Sequence, residues 1–490
     1  MFTLLVFQFL KYLYVVIGVL LTFYGISVFI NIIYFTVWLK VSEFRKPIVS
    51  TWPQVTVILP FYNESAVVSR ILEAVAELDY PRNKFQIMIL DDSTDNTSQK
   101  IDAFISNLIY KDIDIYLQRR TERDDYKTGA LRKSMRFVKG EFIAVFDADF
   151  IPPIDFLLKT IPYLLEDEKI GFIQTRWGFI NPEQSALTLI QSFSFDAHFI
   201  IEKPIEQELG LFINYNGSAG VWRKNTILDC GGWPHNALSE DLEISFRAQT
   251  RGWKALYLPD VVVPSELTSS LYLLGIQQER WAFGALQVFR KLWKDVLLTK
   301  TSINRRFHAF SFLMVYCIFV LLVIQPVIFL TLRLFFFPVP EWFLVTPVFL
   351  MTGVNLITVL ATFKKKRENW FPHALYLPLY ILGVFGFSIR VGWGALKGLL
   401  GMPQEFIRTP KTGAQDGFGG KQESVMPSWQ KWIGYVVAEL LIAFYLFYGI
   451  FFALFQKLWL SGVSFFLFGI GYFMVAIWTI VEARNEKKGQ

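Results

Sequence analysis

"FIAVFDADF", Phe142 to Phe150, decides the fold class. Apolar residues suited to a strand run as far as Phe146, and the segment then turns acidic at Asp147 and Asp149. Two earlier stretches share this plan. "VTVILPFYNE" (Val55–Glu64) reads as a short buried strand ending in a loop, and "FQIMILDDSTDNT" (Phe85–Thr97) breaks off at Asp91 and Asp92. A helical pattern follows the first strand through Leu78. Strands alternating with helices imply an α/β domain on a mainly parallel sheet. Because open parallel sheets bind ligands beyond the carboxyl ends of their strands, all three polar clusters are expected to face one crevice.

Outside this middle region the chain is apolar. Of its 490 residues 53% are hydrophobic and 49 are phenylalanine, an excess over soluble usage that gathers at the N-terminus and after about residue 306. Tyr12 to Leu39 carries no charge and is long enough to cross a bilayer; a cleavable signal peptide would need a shorter apolar run and a small-x-small site before Ser42. Phe307–Leu332, Trp342–Phe363, Ile433–Phe455 and Leu458–Val481 bring the expected spans to five. Phe371–Ile389, interrupted by Pro378, Gly383 and Gly386, is expected at the membrane interface or only part way in. Arg45 and Lys46, the run Lys364 to Arg367, and Lys487 and Lys488 flank the spans; by the positive-inside rule they and the middle domain are cytoplasmic. The expected division is therefore 1–50 for an N-terminal helix and linker, 51–300 for the α/β domain with interfacial helices, and 301–490 for a membrane region with a cytoplasmic loop near 401–430.

A net charge of +6 is explained in part by those basic flanks and is no argument for nucleic acid. Cys230 and Cys317 are the only cysteines, which excludes a disulfide framework and gives no sign of thiol chemistry.

Several clusters could carry chemistry. Asp147 and Asp149, one residue apart at a strand end, suit a Mg2+ or Mn2+ ion that also takes phosphate oxygens, or are solvated loop aspartates. Asp91 and Asp92 could brace a turn or accept a nucleobase N–H. In "DDYKTGALRKSM", Lys127 and Gly129 precede a helix beside the crevice and could meet phosphate. "LSEDLEISFRAQTRGW" opens a helix with Ser239, Glu240, Asp241 and Glu243; this is either a well-capped helix or a carboxylate held as general base. The helix dipole would weaken such a base unless apolar surroundings offset it. "NGS", from Asn216, reads as a tight loop able to approach a ligand, and "QTRWGFIN" sets Arg176 beside Trp177. In "IQQERWAFG" (Ile276–Gly284), Gln277, Arg280 and Trp281 share one helix face, fit for phosphate and a sugar ring or for a membrane surface.

In order, "LDD", "KTGAL", "DAD", "QTRW", "NGSAGVWR", "SED" and "QQERW" resemble the processive family 2 glycosyltransferases, the cellulose synthase-like enzymes that include mannan and glucomannan synthases. The resemblance runs from about Val55 to Lys300 and resumes near Phe406. It implies a GT-A fold that transfers hexose from a nucleotide-sugar, UDP-glucose or GDP-mannose, with inversion. On that basis Asp91, Asp92 and Lys127 would bind the nucleotide-sugar, and Asp147 and Asp149 the metal and diphosphate. Asp241 would be the catalytic base, Gln277 and Arg280 would hold the diphosphate, and Trp281, with Glu240 and Asn216, would meet the acceptor. "EFIRTPKTG" (Glu405–Gly413) resembles the gating loop of the cellulose synthases, with Arg408 where valine is usual; Thr409 keeps its polar place and Lys411 would reach the diphosphate. Gly413, Gly417, Gly419 and Gly420 would let such a loop move.

The resemblance implies a growing β-linked glycan as acceptor, exported through the spans. A related class would glycosylate a membrane lipid, ceramide or diacylglycerol, with the same residue set. A transporter or receptor that only binds nucleotide is disfavoured by spans almost free of charge beyond Glu439.

Overall fold

The computed structural model describes residues 2–39, 47–107, 110, 112–366, 371–411, 413 and 430–489. Seven strands form one sheet: β1 (Val55–Phe61), β2 (Phe85–Asp91), β3 (Asp114–Arg119), β4 (Phe142–Val145), β5 (Ile170–Phe179), β6 (Gly220–Arg223) and β7 (Lys254–Ser265). Their order is β3-β2-β1-β4-β6-β5-β7, and only β6 runs antiparallel to its neighbours. The near-continuous apolar runs of β1 and β2 follow from burial on both faces. Val57, Leu59, Ile87 and Ile89 pack into one core, while Ile58, Met88 and Leu90 between them face a second.

β4 stops at Val145, two residues before the first aspartate. Asp147 and Asp149 therefore lie in the loop beyond the strand, where pleat alternation no longer sets their directions. β1 and β4 pair from Val55↔Phe142 to Ile58↔Val145, which brings "FYNE" and "DAD" to the same end of the sheet.

A helix of 28 residues, Leu271–Leu298, carries Gln277, Arg280 and Trp281. Glu482, from the helix Trp459–Gly489, holds its N-terminus by accepting from the amides of Leu271 (2.9 Å) and Tyr272 (3.1 Å) and from the Ser270 hydroxyl (2.9 Å). Further along, Gly284 lets this helix lie directly on Ser239; any Cβ at Gly284 would collide with the serine hydroxyl. The glycine of "WAFG" thereby seats the Arg280 helix on the start of the acidic helix Glu240–Thr250.

Among the described residues six helices are long and apolar enough to cross a membrane: Leu4–Val37, Cys317–Leu334, Trp342–Lys366, Leu377–Leu400, Trp432–Phe455 and Trp459–Asn485. The sequence reading expected five. Both ends of Leu377–Leu400 meet the sheet domain, Lys366 before it at Asp196 (3.2 Å) and Lys411 after it at Asp149 (2.8 Å), which a single full crossing would not allow. Phe371–Ile389 nevertheless does not end where expected, because after the helix Leu377–Gly386 the chain continues as Ser388–Leu400 through a charged residue at which an apolar scan stops. That residue, Arg390, is fully buried and bonds Glu439 (2.6 and 3.0 Å) and Thr479 (2.8 Å), so the lone acid noted in the spans is paired. The expected span from Phe307 is also divided: Ile303–Met314 forms its own helix before Cys317–Leu334 begins. Arg45, Lys46, Arg367, Gly417, Gly419 and Gly420 lie outside the described residues.

Candidate active site

Beyond the carboxyl ends of β1, β4 and β7 lies a cleft of about 270 Å3. Its lining includes Asp92, Lys127, Asp147, Asp149, Asn216, Glu240, Asp241, Gln277, Arg280, Trp281 and Lys411, so eleven of the twelve site residues expected from sequence share one space.

Asp91 is the exception. It is 2% exposed and is not part of the lining, accepting from the Ser93 amide (3.0 Å), the Ser98 hydroxyl (2.6 Å) and Arg119 (2.8 Å). Burial works to raise its pKa, but these donors outweigh it and hold the carboxyl below its usual value. As the last residue of β2 it braces the strand exit, which is the turn-bracing alternative of the sequence reading. Asp92 does reach the cleft, gripped by both arms of Arg120, with Nε donating at 2.9 Å.

The acidic centre is neutralised by two lysines. Lys127 donates to Asp147 (2.6 Å) and to the Gly217 carbonyl (3.0 Å), and stands 3.5 Å from Glu240. Burial alone would lower its pKa; Asp147 and Glu240 more than offset that, so its pKa is raised and it stays charged. Lys411 bridges Asp149 (2.8 Å) and the Glu266 carbonyl (2.6 Å), and its pKa is likewise raised by Asp149 against burial. The two aspartates thus face separate cations. Among the described residues no cluster of three or more acids, histidines or cysteines is built for a metal. Two carboxylates that already hold positive charge fit an ion such as Mg2+ that completes its shell with water and substrate phosphate.

Asp241 sits in the first turn of its helix, with Oδ1 accepting from the Leu242 amide (2.8 Å). Burial first, then the adjacent charge of Glu240, pushes its pKa up to about 7. The dipole's weakening of this base is therefore overcome by its surroundings. Gly217, at φ +84°, makes the opposing wall; a Cβ there would lie 2.9 Å from Asp241 Oδ2. The Asn216–Ala219 loop is set by buried Gln174, which accepts from the Asn216 amide (2.8 Å) and donates to the carbonyls of Ser218 and Ala219 (3.2 Å each). Asn216 itself leaves a buried side-chain oxygen without a hydrogen bond.

Arg280 makes no salt bridge within 4 Å among the described residues; Phe406 lies 4.9 Å from its guanidinium carbon. Burial depresses its pKa, although Glu240, Asp241 and Asp147 pull the other way. Trp281 meets Phe195 edge to face at 5.8 Å, and Trp177, a further wall residue, donates to the Ser218 carbonyl at 3.3 Å. Phe195 and Glu266 gave no sequence signal. Glu64 gave one, a polar strand exit like those of β2 and β4, but was assigned no role; it receives both arms of Arg408 at 3.0 Å each.

The arrangement combines a carboxyl titrating near neutrality, fixed cations around an acidic pair, and an aromatic wall. It can bind a diphosphate, remove a proton and stack a sugar ring.

Comparison with known proteins agrees. The description "Glycosyltransferase like family 2" matches residues 53–284. Glucomannan 4-beta-mannosyltransferase 1 of Oryza sativa subsp. japonica is 32% identical over 450 residues, covering 86% of this chain and 83% of the relative. The enzyme of that name from Cyamopsis tetragonoloba is 37% identical over 262 residues, where the chain spans half the relative's length (50%). Among solved structures, a mannosyltransferase of Pyrobaculum calidifontis in complex with GDP-Man and Mn2+ superposes with TM-score 0.54 at 20% identity, covering 79% of this chain and 99% of that one, which places the sheet domain in the GT-A fold. With a relative of this identity matched along most of both chains, the protein belongs to the family 2 glycosyltransferases, among their cellulose synthase-like members.

Proposed function

We propose that the protein transfers mannose from GDP-mannose to the end of a growing β-1,4-linked glycan, with inversion at the anomeric carbon. The single observation that carries the mechanism is Asp241, a carboxyl with its pKa at about 7 on the same wall as Glu240 and across from Lys127 and Arg280. The choice of mannose over glucose is supported by the names of the relatives, glucomannan 4-beta-mannosyltransferases, and by the GDP-Man bound to the fold neighbour.

In this reading the acceptor hydroxyl attacks the sugar carbon from the face opposite the diphosphate, and Asp241 takes its proton. Arg280, without an ion-pair partner among the described residues, receives the charge that develops on the leaving diphosphate, with Lys127 and Gln277 beside it. Arg fits this task because its fork can bind two phosphate oxygens at once. Trp281 and Trp177 present flat faces to the acceptor sugar. Asp147 and Asp149 would hold Mg2+ or Mn2+, as the Mn2+ of the fold neighbour supports; bound there, the ion supplies neutralisation of the diphosphate. The long apolar helices form the membrane region, with the cleft on the cytoplasmic side and the glycan exported through them.

Purified protein in detergent, given radiolabelled GDP-mannose or UDP-glucose with Mg2+ or Mn2+, tests the assignment. Label from GDP-mannose should enter a mannanase-sensitive polymer. Label from UDP-glucose alone would overturn the donor, label only in a lipid extract would support the glycolipid class instead, and nucleotide binding without turnover would defeat the enzymatic reading.

A further inference from the structure

The segment from Met402 to Lys411 has no regular secondary structure, yet Phe406, Arg408, Thr409 and Lys411 all line the cleft. Ordering such a stretch costs entropy at each residue, so something must hold it there. Outside the cleft Gln404 accepts from Lys397 and Ile407 packs beside Tyr272 and Trp432; within the cleft its contacts fall at three places. Phe406 lies against Tyr126 (ring centroids 5.3 Å) and over Arg280. Lys411 reaches Asp149 and the Glu266 carbonyl, while the Gly413 amide donates to the Glu266 carboxylate at 3.1 Å. Between them Arg408 makes two parallel bonds to Glu64, Nε to Oε1 and the terminal nitrogen to Oε2, both 3.0 Å, with the two side chains 18% and 15% exposed.

The last of these contacts differs in kind from the other two. Phe406 and Lys411 touch groups assigned to substrate, and a bound donor would compete for them. Arg408 touches nothing of that sort: its partner, Glu64, lies just beyond β1 and is assigned no substrate contact. A valine could not make this contact, and a lysine could not satisfy both carboxylate oxygens from one fork.

We infer that Arg408 is a positioning residue: its bidentate pair with Glu64 fastens the 402–411 segment across the cleft and so slows the escape of the nucleotide-sugar. The inference rests on the proposed function for its ligand and on geometry alone for the fastening. Glu64 is the fixed half of the pair. Removing Arg408 breaks the tether and leaves Glu64, 15% exposed, without that partner.

Two measurements separate these dependencies. Without any ligand, hydrogen exchange at the amides of residues 402–411 should accelerate about tenfold in Arg408→Val and Arg408→Gln, as expected for loss of a partly buried paired charge, and less in Arg408→Lys. With GDP-mannose, the donor KM should rise by a similar factor, about tenfold, while kcat stays within about twofold. Adding Glu64→Gln to Arg408→Val should raise that KM little further, because the pair is already broken. Unchanged exchange in both Arg408 variants, a loss confined to kcat, or additive losses in the double variant would each overturn the inference. Should wild-type protein show the exchange pattern but no turnover of GDP-mannose or UDP-glucose, the fastening stands and the functional reading falls.

Discussion

Asp241 allows the mechanism to be tested through pH. Its carboxyl is held at about 7 by burial and by Glu240, so it is about half ionised at pH 7, about one-tenth at pH 6 and about one-hundredth at pH 5. If it is the base, kcat/KM must fall about fivefold from pH 7 to 6 and about tenfold from pH 6 to 5. Glu240→Gln removes the second-largest cause of the shift, so the acid limb should move to lower pH. Asp241→Asn should lower turnover by ~10²–10⁴-fold, the usual worth of a positioned base, with donor affinity kept. Stability gives an independent check with the opposite sign. A carboxyl whose folded pKa lies above its unfolded value of about 3.9 contributes stability that is complete below pH of about 4 and is lost as pH rises through about 7. Asp241→Asn should therefore melt no lower than wild type at pH 8, whereas a residue kept for structure would melt lower when replaced. Rates with radiolabelled donor from pH 5 to 8, alongside thermal melts in detergent, decide it; a flat profile, or an Asn variant with near wild-type turnover, would refute the base assignment.

Arg280→Lys keeps a charge but loses the fork, and kcat/KM for the donor should drop by roughly 10–100-fold in steady-state assays. Trp281→Ala should raise the acceptor KM about tenfold and leave GDP affinity, read by calorimetry, unchanged. Chelation with EDTA should abolish transfer, Mn2+ or Mg2+ should restore it, and Asp147→Asn should raise the metal concentration needed for half-maximal rate. Glu482→Gln weakens the cap on the Arg280 helix, where three donors converge; loss of about 1 kcal/mol should appear as a lower melting temperature.

The sheet was legible because strands buried on both faces are written as apolar runs, and their exits as sudden acids. The same regularity sets the ends of "VTVILPFYNE", "FQIMILDD" and "FIAVFDADF" at one crevice, whereas "SED" and "QQERW" join it in expectation only through the family resemblance. Asp91 shows where it fails: in "LDD" nothing local tells which of two adjacent aspartates faces the ligand, because that depends on where Ser98 and Arg119 stand. Arg408 and Glu64 are 344 residues apart and meet only through the fold. Leu377–Leu400 was cut short at Arg390 because a charge reads as a boundary until its partner, Glu439, 49 residues on, is seen. Local pattern thus specified elements and their polar ends, while pairing across the chain decided which polar groups bind substrate and which hold the structure.

The central claim is inversion by a single displacement with Asp241 as base. GDP-mannose carries its sugar in the α configuration, so the anomeric proton and carbon signals of the product, read by NMR after incubation with a short manno-oligosaccharide acceptor, give the answer directly. A β-1,4 linkage is the expected result; an α-linked product would contradict the account.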